Sequence, residues 1–537
     1  MTVRPPARWR RIIALGLAVT LVAGGCTDDG TDAATATSTT IPRPNTVMRL
    51  GVEDWPTCVN PLTCADDALH DLVLQHVLPV AFELDSSDDY QPSAMLAATP
   101  TVVDIEGGVE IRYEIAPEAR WADGRPITSS DFLGTWQAIM ATPDADRLRY
   151  DHVVAVDDRD PSVAVVTLDA PLVDWQELFG GSSGYVLQAD AFGASADLTG
   201  QFLDELPFAA GPYLLSSWSE AGAVLSATAP WEGRDEARID QVRIDRVEIA
   251  SLDDAMTFDM LIPSADSDAE APEGFDVRTT ASTTVLGVWF DQREPALQPV
   301  EHRRAIELLL DRAALTEAAG LGEVVSCAGW VPEVGPWCDA ASIEPAAVDA
   351  AAASAQLAAQ GWVKGGYGLL FRDDVLLSVP VTTDVSVPGS SVVAELIREA
   401  LLAGGIEATV SDVRTSEWRG SRSSGASTGL GVYALDLGVS PRVDDLYGCP
   451  DGVDSSVLGS CPSEITGPAR DLATMGIDDA LAAVDFLGAA ADLVVSWLPL
   501  GVVPERSFVR QGRVAVADAS NAAGGPLAGL DRFEADA

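Results

Sequence analysis

The chain contains 537 residues, of which 47% are hydrophobic. Because this length is more than one hydrophobic core usually organises, we predict two or three domains. Its 82 acidic and 33 basic residues give a formal net charge of −49, which would repel nucleic-acid phosphates and anionic lipid, and we expect no nucleic-acid partner. The carboxylate excess is interpreted as a solvated surface, with attraction of cations as the alternative.

The N-terminal 25 residues predict an export signal. Four arginines precede the short apolar run Ile12–Ala23, and small residues lead to Cys26. The run is shorter than the ~20 residues that a membrane-spanning helix needs. The segment before Cys26 resembles the lipobox of bacterial lipoproteins, which implies that Cys26 carries lipid on the extracytoplasmic face of the cell membrane. A plain secretory signal with an incidental cysteine is the alternative.

Residues 26–46 predict a flexible linker, since they are rich in threonine, alanine and aspartate and include two prolines. The folded part is expected to begin at residue 47, in a short apolar strand over Val47–Val52. Alternating apolar and polar residues predict a further strand at 109–115, and the segments 223–227 and 239–249 are also strand-like.

The second half of the chain predicts alternating helices and strands, and hence an α/β fold. Apolar residues recur at helical spacing over 300–315, 354–359 and 393–401, and short apolar runs at 376–381 and 406–410 predict strands. The pair Gly404-Gly405 is expected to end the third of these helices.

Six cysteines besides Cys26 form three couples that are close in sequence, which fits an oxidising compartment. Six cysteines allow 15 pairings, but short loops favour the disulfides Cys58–Cys64, Cys327–Cys338 and Cys449–Cys461. A metal site is the rival interpretation. Its usual Cys-x-x-Cys spacing and neighbouring histidines are missing, and we expect neither a metal nor another cofactor.

Four segments, in a fixed order, look like parts of one known family. They are the turn and helix start Trp121-Ala-Asp-Gly-Arg-Pro-Ile-Thr-Ser-Ser-Asp131, the stretch Gly211-Pro-Tyr213 with Trp218, the strand and helix Leu286–Asp291 and Val300–Ile306, and the helix Asp349–Trp362. Together they resemble the family-5 extracellular solute-binding proteins, the peptide, nickel and oligosaccharide receptors of ABC importers. In the third segment Asp291 stands where the family usually has asparagine.

This resemblance implies an α/β, two-lobed periplasmic-binding-protein-like fold of the large, type II peptide-binding class, with an extra subdomain in the first lobe. Lobe one would span 47–283 and be completed by 496–537, and lobe two would span 284–495. Closure of a hinge would trap a small, peptide-like solute between the lobes and present it to an ABC permease. The protein would be a monomer without catalytic activity.

The resemblance also suggests ligand-binding residues. Arg442 aligns with the aspartate that pairs with the ammonium group of peptides in related receptors, and Val439 replaces a tryptophan. A guanidinium would instead grip a carboxylate or phosphate, and Asp444 or Asp445 would supply the acid after a small shift of the alignment. The alternative is that these residues lie on the surface beside the Cys449–Cys461 loop.

Three tryptophans are further candidates for contact with the solute. Trp418 and Trp289 would offer aromatic faces, although such residues are often simply core. Trp55 follows the first strand, where the ligand loop of this family often runs, and the predicted disulfide Cys58–Cys64 would fix that loop.

Two other functions remain open from the sequence. One is an envelope scaffold or signalling lipoprotein that keeps the receptor fold without transport. The other is a secreted serine hydrolase, because Ser182 and Ser427 lie in G-x-S-x-G strings. No histidine follows Ser427, and only His302 follows Ser182, so the usual hydrolase order is poorly met. Abundant alanine and glycine and an excess of arginine over lysine are typical of a GC-rich source, and with the Cys26 signal they favour an actinobacterial envelope.

Overall fold

The computed structural model describes residues 46–64, 67–143, 145–147, 149–181, 184–193, 195–265, 267, 269–321, 347–414, 427–439, 449, 460–461, 463–476, 479–481, 483–484, 493–516 and 524–535. Its backbone is mixed α/β. Two large sheets organise it, and each is buried among its own set of apolar side chains.

A seven-stranded sheet forms the first body. Its strands, in spatial order, are Phe275–Thr280, Glu505–Arg510, Met260–Ile262, Val47–Val52, Gln241–Arg246, Gly222–Ala227 and Tyr213–Ser219. Val47–Val52 pairs in parallel with both of its neighbours, and its side chains Met48, Leu50 and Val52 are buried in the core. It is the strand that the sequence predicts.

A four-stranded antiparallel sheet extends this body. Its order is Thr101–Ile105, Gly108–Glu114, Val163–Leu168 and Val153–Asp160. The helix Ser129–Ala141 packs on it and begins at Thr128, whose side chain forms a capping box with Asp131. One apolar cluster joins both sheets, and we call the body around them lobe one.

A five-stranded sheet forms the second body, which we call lobe two. Its order is Glu407–Val413, Ser378–Asp384, Leu430–Asp436, Thr284–Phe290 and Trp497–Val502. One face is covered by the helices Val300–Glu307, Arg312–Ala318, Ala350–Ala359 and Ser390–Gly404. The helix Ser463–Ala473 covers the other face.

Smaller elements complete the described part. They are the short helical stretch Asp67–Leu69, His70–Leu74 and Gln75–Val77, the hairpin Phe82–Leu84 with Tyr90–Pro92, the three strands Val363–Lys364, Leu370–Arg372 and Val375–Leu376, the pair Val514–Ala515 with Glu534–Ala535, and the single 3₁₀ turns Tyr150–His152, Trp175–Glu177, Ala189–Ala191, Ile249–Ser251, Ala255–Thr257, Pro295–Leu297, Gly525–Leu527 and Leu530–Arg532.

The chain passes between the two large sheets twice. It leaves the first sheet at Thr280 and enters the second at Thr284, and it returns from Val502 to Glu505. The two crossings are bonded to each other: the Ser282 hydroxyl donates to the Val503 carbonyl (2.6 Å), and the Val503 amide donates to Thr284 (2.8 Å). The predicted lobe limits 47–283, 284–495 and 496–537 stay a prediction.

Candidate functional site

The loop after the central strand of lobe one is fixed by Glu53. One carboxylate oxygen of Glu53 accepts from the Ile249 amide (2.8 Å), and the other accepts from the Ser264 amide (3.0 Å). Those amides follow the two strands that flank Val47–Val52 in parallel. The carboxyl ends of three parallel strands therefore meet at one edge, where open α/β sheets commonly bind ligands.

Trp55 lies in this loop and is half-buried. Its ring stacks on Trp218, with centroids 4.8 Å apart and planes 19° apart, and its Nε1 donates to the Ser219 carbonyl at 3.2 Å. The predicted disulfide Cys58–Cys64 is present, with its Cα atoms 5.7 Å apart. Both contacts fix the loop, and the role of Trp55 in binding a solute stays a prediction.

Trp289 lies elsewhere, in the interior of lobe two. Its side chain is 2% exposed and stacks on Trp497 with centroids 4.3 Å apart. It belongs to the apolar cluster between the five-stranded sheet and the helix Ser463–Ala473, whereas Trp55 packs on the core of lobe one. The structure therefore does not bring these two candidates together, and in this arrangement protein covers the Trp289 ring.

The other predicted ligand residues, Trp418, Arg442, Asp444 and Asp445, lie outside the described residues, as do Cys26 and the couple Cys327–Cys338. The couple Cys449–Cys461 is a disulfide, with its Cα atoms 6.1 Å apart. Arg470, in the helix Ser463–Ala473, donates to the Cys449 carbonyl (2.8 Å). Val439, which precedes the undescribed segment, is buried.

Lobe one contacts lobe two through Val173, and no pattern in the sequence predicts this contact. Val173 follows the strand Val163–Leu168 of lobe one, yet its side chain belongs to the apolar cluster of lobe two. Its amide donates to the Ala473 carbonyl at 3.2 Å. The same cluster includes Val285 and Val502, which lie next to the paired crossings, so Val173 adds a side-chain contact to the connection between the lobes.

Lobe one also contains a cavity of about 630 Å³ between the hairpin Phe82–Leu84 with Tyr90–Pro92 and the C-terminal turns. Glu83, Asp531 and Arg532 line it together with Trp231. The pKa of Glu83 is raised, chiefly because the surrounding protein removes solvation from its carboxylate and secondly because of the negative charge of Asp531. Among the described residues no group of histidine, cysteine and carboxylate side chains converges as a metal site.

Comparison with known proteins identifies the family. The sequence profile described as "Bacterial extracellular solute-binding proteins, family 5 Middle" matches residues 92–438, more than half of the chain. The chain belongs to this family. The match includes the strand Thr284–Phe290 and the helix Val300–Glu307, so the sequence-based recognition is confirmed.

Individual relatives match this family-5 protein at low identity and over only part of its length. The oligopeptide-binding protein OppA of Mycobacterium tuberculosis is 28% identical over 281 residues, which cover 46% of this chain and 45% of that protein. The chain thus matches less than half the length of such curated relatives.

Solved structures show the same fold at low identity. NikZ from Campylobacter jejuni, in complex with Ni(L-His), matches with a TM-score of 0.74 at 13% identity, and AppA from Bacillus subtilis, in complex with a nonapeptide, with 0.71 at 16%. Each match covers 92% of this chain and 100% of the other. The predicted two-lobed α/β fold is confirmed.

The histidine that a hydrolase would need is engaged elsewhere in this family-5 protein. His302 is buried in lobe two, where its Nδ1 lies 2.9 Å from the Ala296 carbonyl and its Nε2 accepts from the Trp362 indole at 3.0 Å. Burial is the largest influence on its pKa, which is lowered. Both ring nitrogens are therefore engaged in contacts within lobe two. Family 5 comprises binding proteins, not enzymes.

Among the described residues no helix has both the length and the apolar character needed to cross a bilayer.

Proposed function

We propose that this family-5 protein is a solute-binding receptor of an ABC importer, and that it captures a small, peptide-like solute by closing its lobes. The observation that carries the proposal is the joint between the lobes: two crossings bonded to each other at Ser282 and Val503 connect bodies that have separate apolar cores. Such a joint permits hinge motion about a few backbone positions.

The solute would bind between the two lobes, beside the Trp55 loop. This edge supports the proposal because three parallel strands end there and because Glu53 and the Cys58–Cys64 disulfide hold the loop. Arg442 would grip a carboxylate of the solute, and Asp444, Asp445 and Trp418 are further proposed ligand-binding residues. The proposed role of Trp289 requires a rearrangement that uncovers its ring.

The receptor would work outside the cytoplasm, held to the membrane by lipid on Cys26 and by the linker 26–46. The substitution Cys26→Ser tests this anchor. We expect the variant to leave the membrane fraction while the wild-type protein stays there, and mass spectrometry of the N-terminal peptide would detect the lipid. Wild-type protein that is released without detergent would contradict the lipid anchor.

A thermal-shift screen with peptides, sugars and metal chelates tests solute binding. A solute at a hundredfold excess over its Kd stabilises the folded state by about 2.7 kcal/mol and raises Tm. We expect peptides to do so. Arg442→Ala should abolish the shift, whereas Arg243→Ala, which removes an exposed arginine of lobe one, should not. If no solute class shifts Tm, the scaffold function replaces the receptor function.

A further inference from the structure

Three consecutive residues of one loop, 172–174, contact lobe one, lobe two and lobe one in turn. Leu172 is buried in the apolar cluster of lobe one, whereas Val173, 2% exposed, is buried in that of lobe two. Asp174 turns back to lobe one, where it forms a buried ion pair with Arg149. The residues before and after Val173 are therefore anchored in lobe one, while Val173 itself packs on lobe two.

The surface that receives Val173 is the helix Ser463–Ala473 and the sheet beneath it. Ile465, Ala469 and Leu472 of this helix lie in the same cluster as Val173. The Val173 amide donates to Ala473, which is the last residue of the helix. The last carbonyls of a helix have no partner within it, so this bond satisfies a group that would otherwise need water.

Both sides of the contact are tied to further groups of their own lobe, by a hydrogen bond and a disulfide on one side and by an ion pair on the other. On the receiving side, Arg470 ties the helix to Cys449, which is in the disulfide with Cys461. On the other side, the pair of Arg149 and Asp174 holds the loop. A contact between surfaces that are already ordered loses little conformational entropy when it forms.

We propose that Val173 is a clasp whose contact with lobe two shifts the lobe equilibrium toward the closed arrangement before solute binds. Every group in the contact belongs to the protein, so its stability requires no bound molecule. The inference rests on the proposed function only in assuming that the lobes can separate. Because a solute binds most tightly to closed lobes, the clasp raises the affinity for every solute by the same factor.

A double substitution tests whether the contact forms in solute-free protein. The bond from Val173 to Ala473 brings the two backbones within reach of a disulfide, which needs Cα atoms about 4.4–6.8 Å apart. The protein is stripped of bound solute by unfolding in denaturant with its disulfides intact, and then refolded. We expect Val173→Cys with Ala473→Cys to cross-link under mild oxidant, as detected by non-reducing peptide mapping.

The matched control combines Ala473→Cys with Val102→Cys, since Val102 is an exposed valine of lobe one. This pair should not cross-link. Absence of the cross-link in the Val173 pair, or equal cross-linking of the control pair, would overturn the clasp. Neither result bears on the receptor function, which depends on the thermal-shift screen.

A single substitution tests the effect on the lobe equilibrium. Val173→Ser should enlarge the radius of gyration of solute-free protein in small-angle scattering, while Val102→Ser should not change it. For any two solutes found by the screen, Val173→Ser should weaken both affinities by the same factor, of about tenfold. An unchanged radius with circular dichroism like that of the wild type, or a weakening of one solute only, would contradict the proposal.

Discussion

The indole of Trp55 stacks on that of Trp218 with 4.8 Å between the ring centroids, although the two residues are 163 positions apart in the chain. If Trp55 contacts solute, Trp55→Ala should weaken binding by at least about tenfold, because a buried aromatic face contributes well over 1 kcal/mol. Isothermal titration with the best solute of the screen would measure this change.

The control for that substitution is Trp231→Ala, which removes a tryptophan of lobe one that lines the 630 Å³ cavity. We expect it to leave the affinity unchanged. The reverse pattern, with affinity lost at Trp231 and kept at Trp55, would locate the solute in the cavity and not at the strand ends beside Glu53.

Loss of the disulfide Cys58–Cys64 should loosen the Trp55 loop. The bond closes a short loop, and Cys58→Ala with Cys64→Ala should lower the free energy of unfolding by about 2 kcal/mol. Hydrogen exchange of peptides within 54–64 should become faster. The matched control, Cys449→Ala with Cys461→Ala in lobe two, should leave these peptides protected. Equal protection in both double variants would show that Glu53 and the Trp55 contacts hold the loop without the disulfide.

Local patterns in the sequence predicted many elements but not all of their limits. The helix start within Trp121–Asp131 and the helix end at Gly405 could be predicted because such signals act on their nearest neighbours in the chain. The helix predicted over 300–315 is instead two helices, Val300–Glu307 and Arg312–Ala318. Apolar spacing continues through the break, but Asp311 accepts from the Ala314 amide and starts a new helix.

The candidate site was harder to predict because its geometry comes from distant parts of the chain. Trp289 and Trp55 are both tryptophans at strand ends, and nothing near them in sequence tells that Trp497 covers one and Trp218 the other. Val173 follows an ordinary strand, and its burial depends on a helix about 300 residues later. Pairings of this kind depend on topology, which periodicity does not encode.

His302 should make part of the stability depend on pH. Burial lowers its pKa below the ordinary value of about 6.5, so the unfolded chain binds the proton more tightly than the folded one. Its contribution is therefore complete above the unfolded value and decreases as the pH falls through it. Denaturant unfolding of wild type and His302→Gln should show a larger difference at pH 7.5 than at pH 5.5. A difference that grows on acidification would mean that the folded state holds His302 charged.

The stacking of Trp289 on Trp497 requires a residue without a side chain at position 287, and Gly287 meets this requirement. A Cβ at 287 would overlap the Trp497 indole nitrogen, so the ring lies across the strand only because residue 287 is glycine. We expect Gly287→Ala to displace Trp497 and to lower the free energy of unfolding by about 2 kcal/mol, the usual result of overfilling a packed core. Gly366→Ala is the matched control, because a Cβ there meets no atom within 4 Å and the backbone has an ordinary φ. Urea unfolding followed by tryptophan fluorescence measures both variants, and equal stabilities would show that Trp497 can shift at no cost.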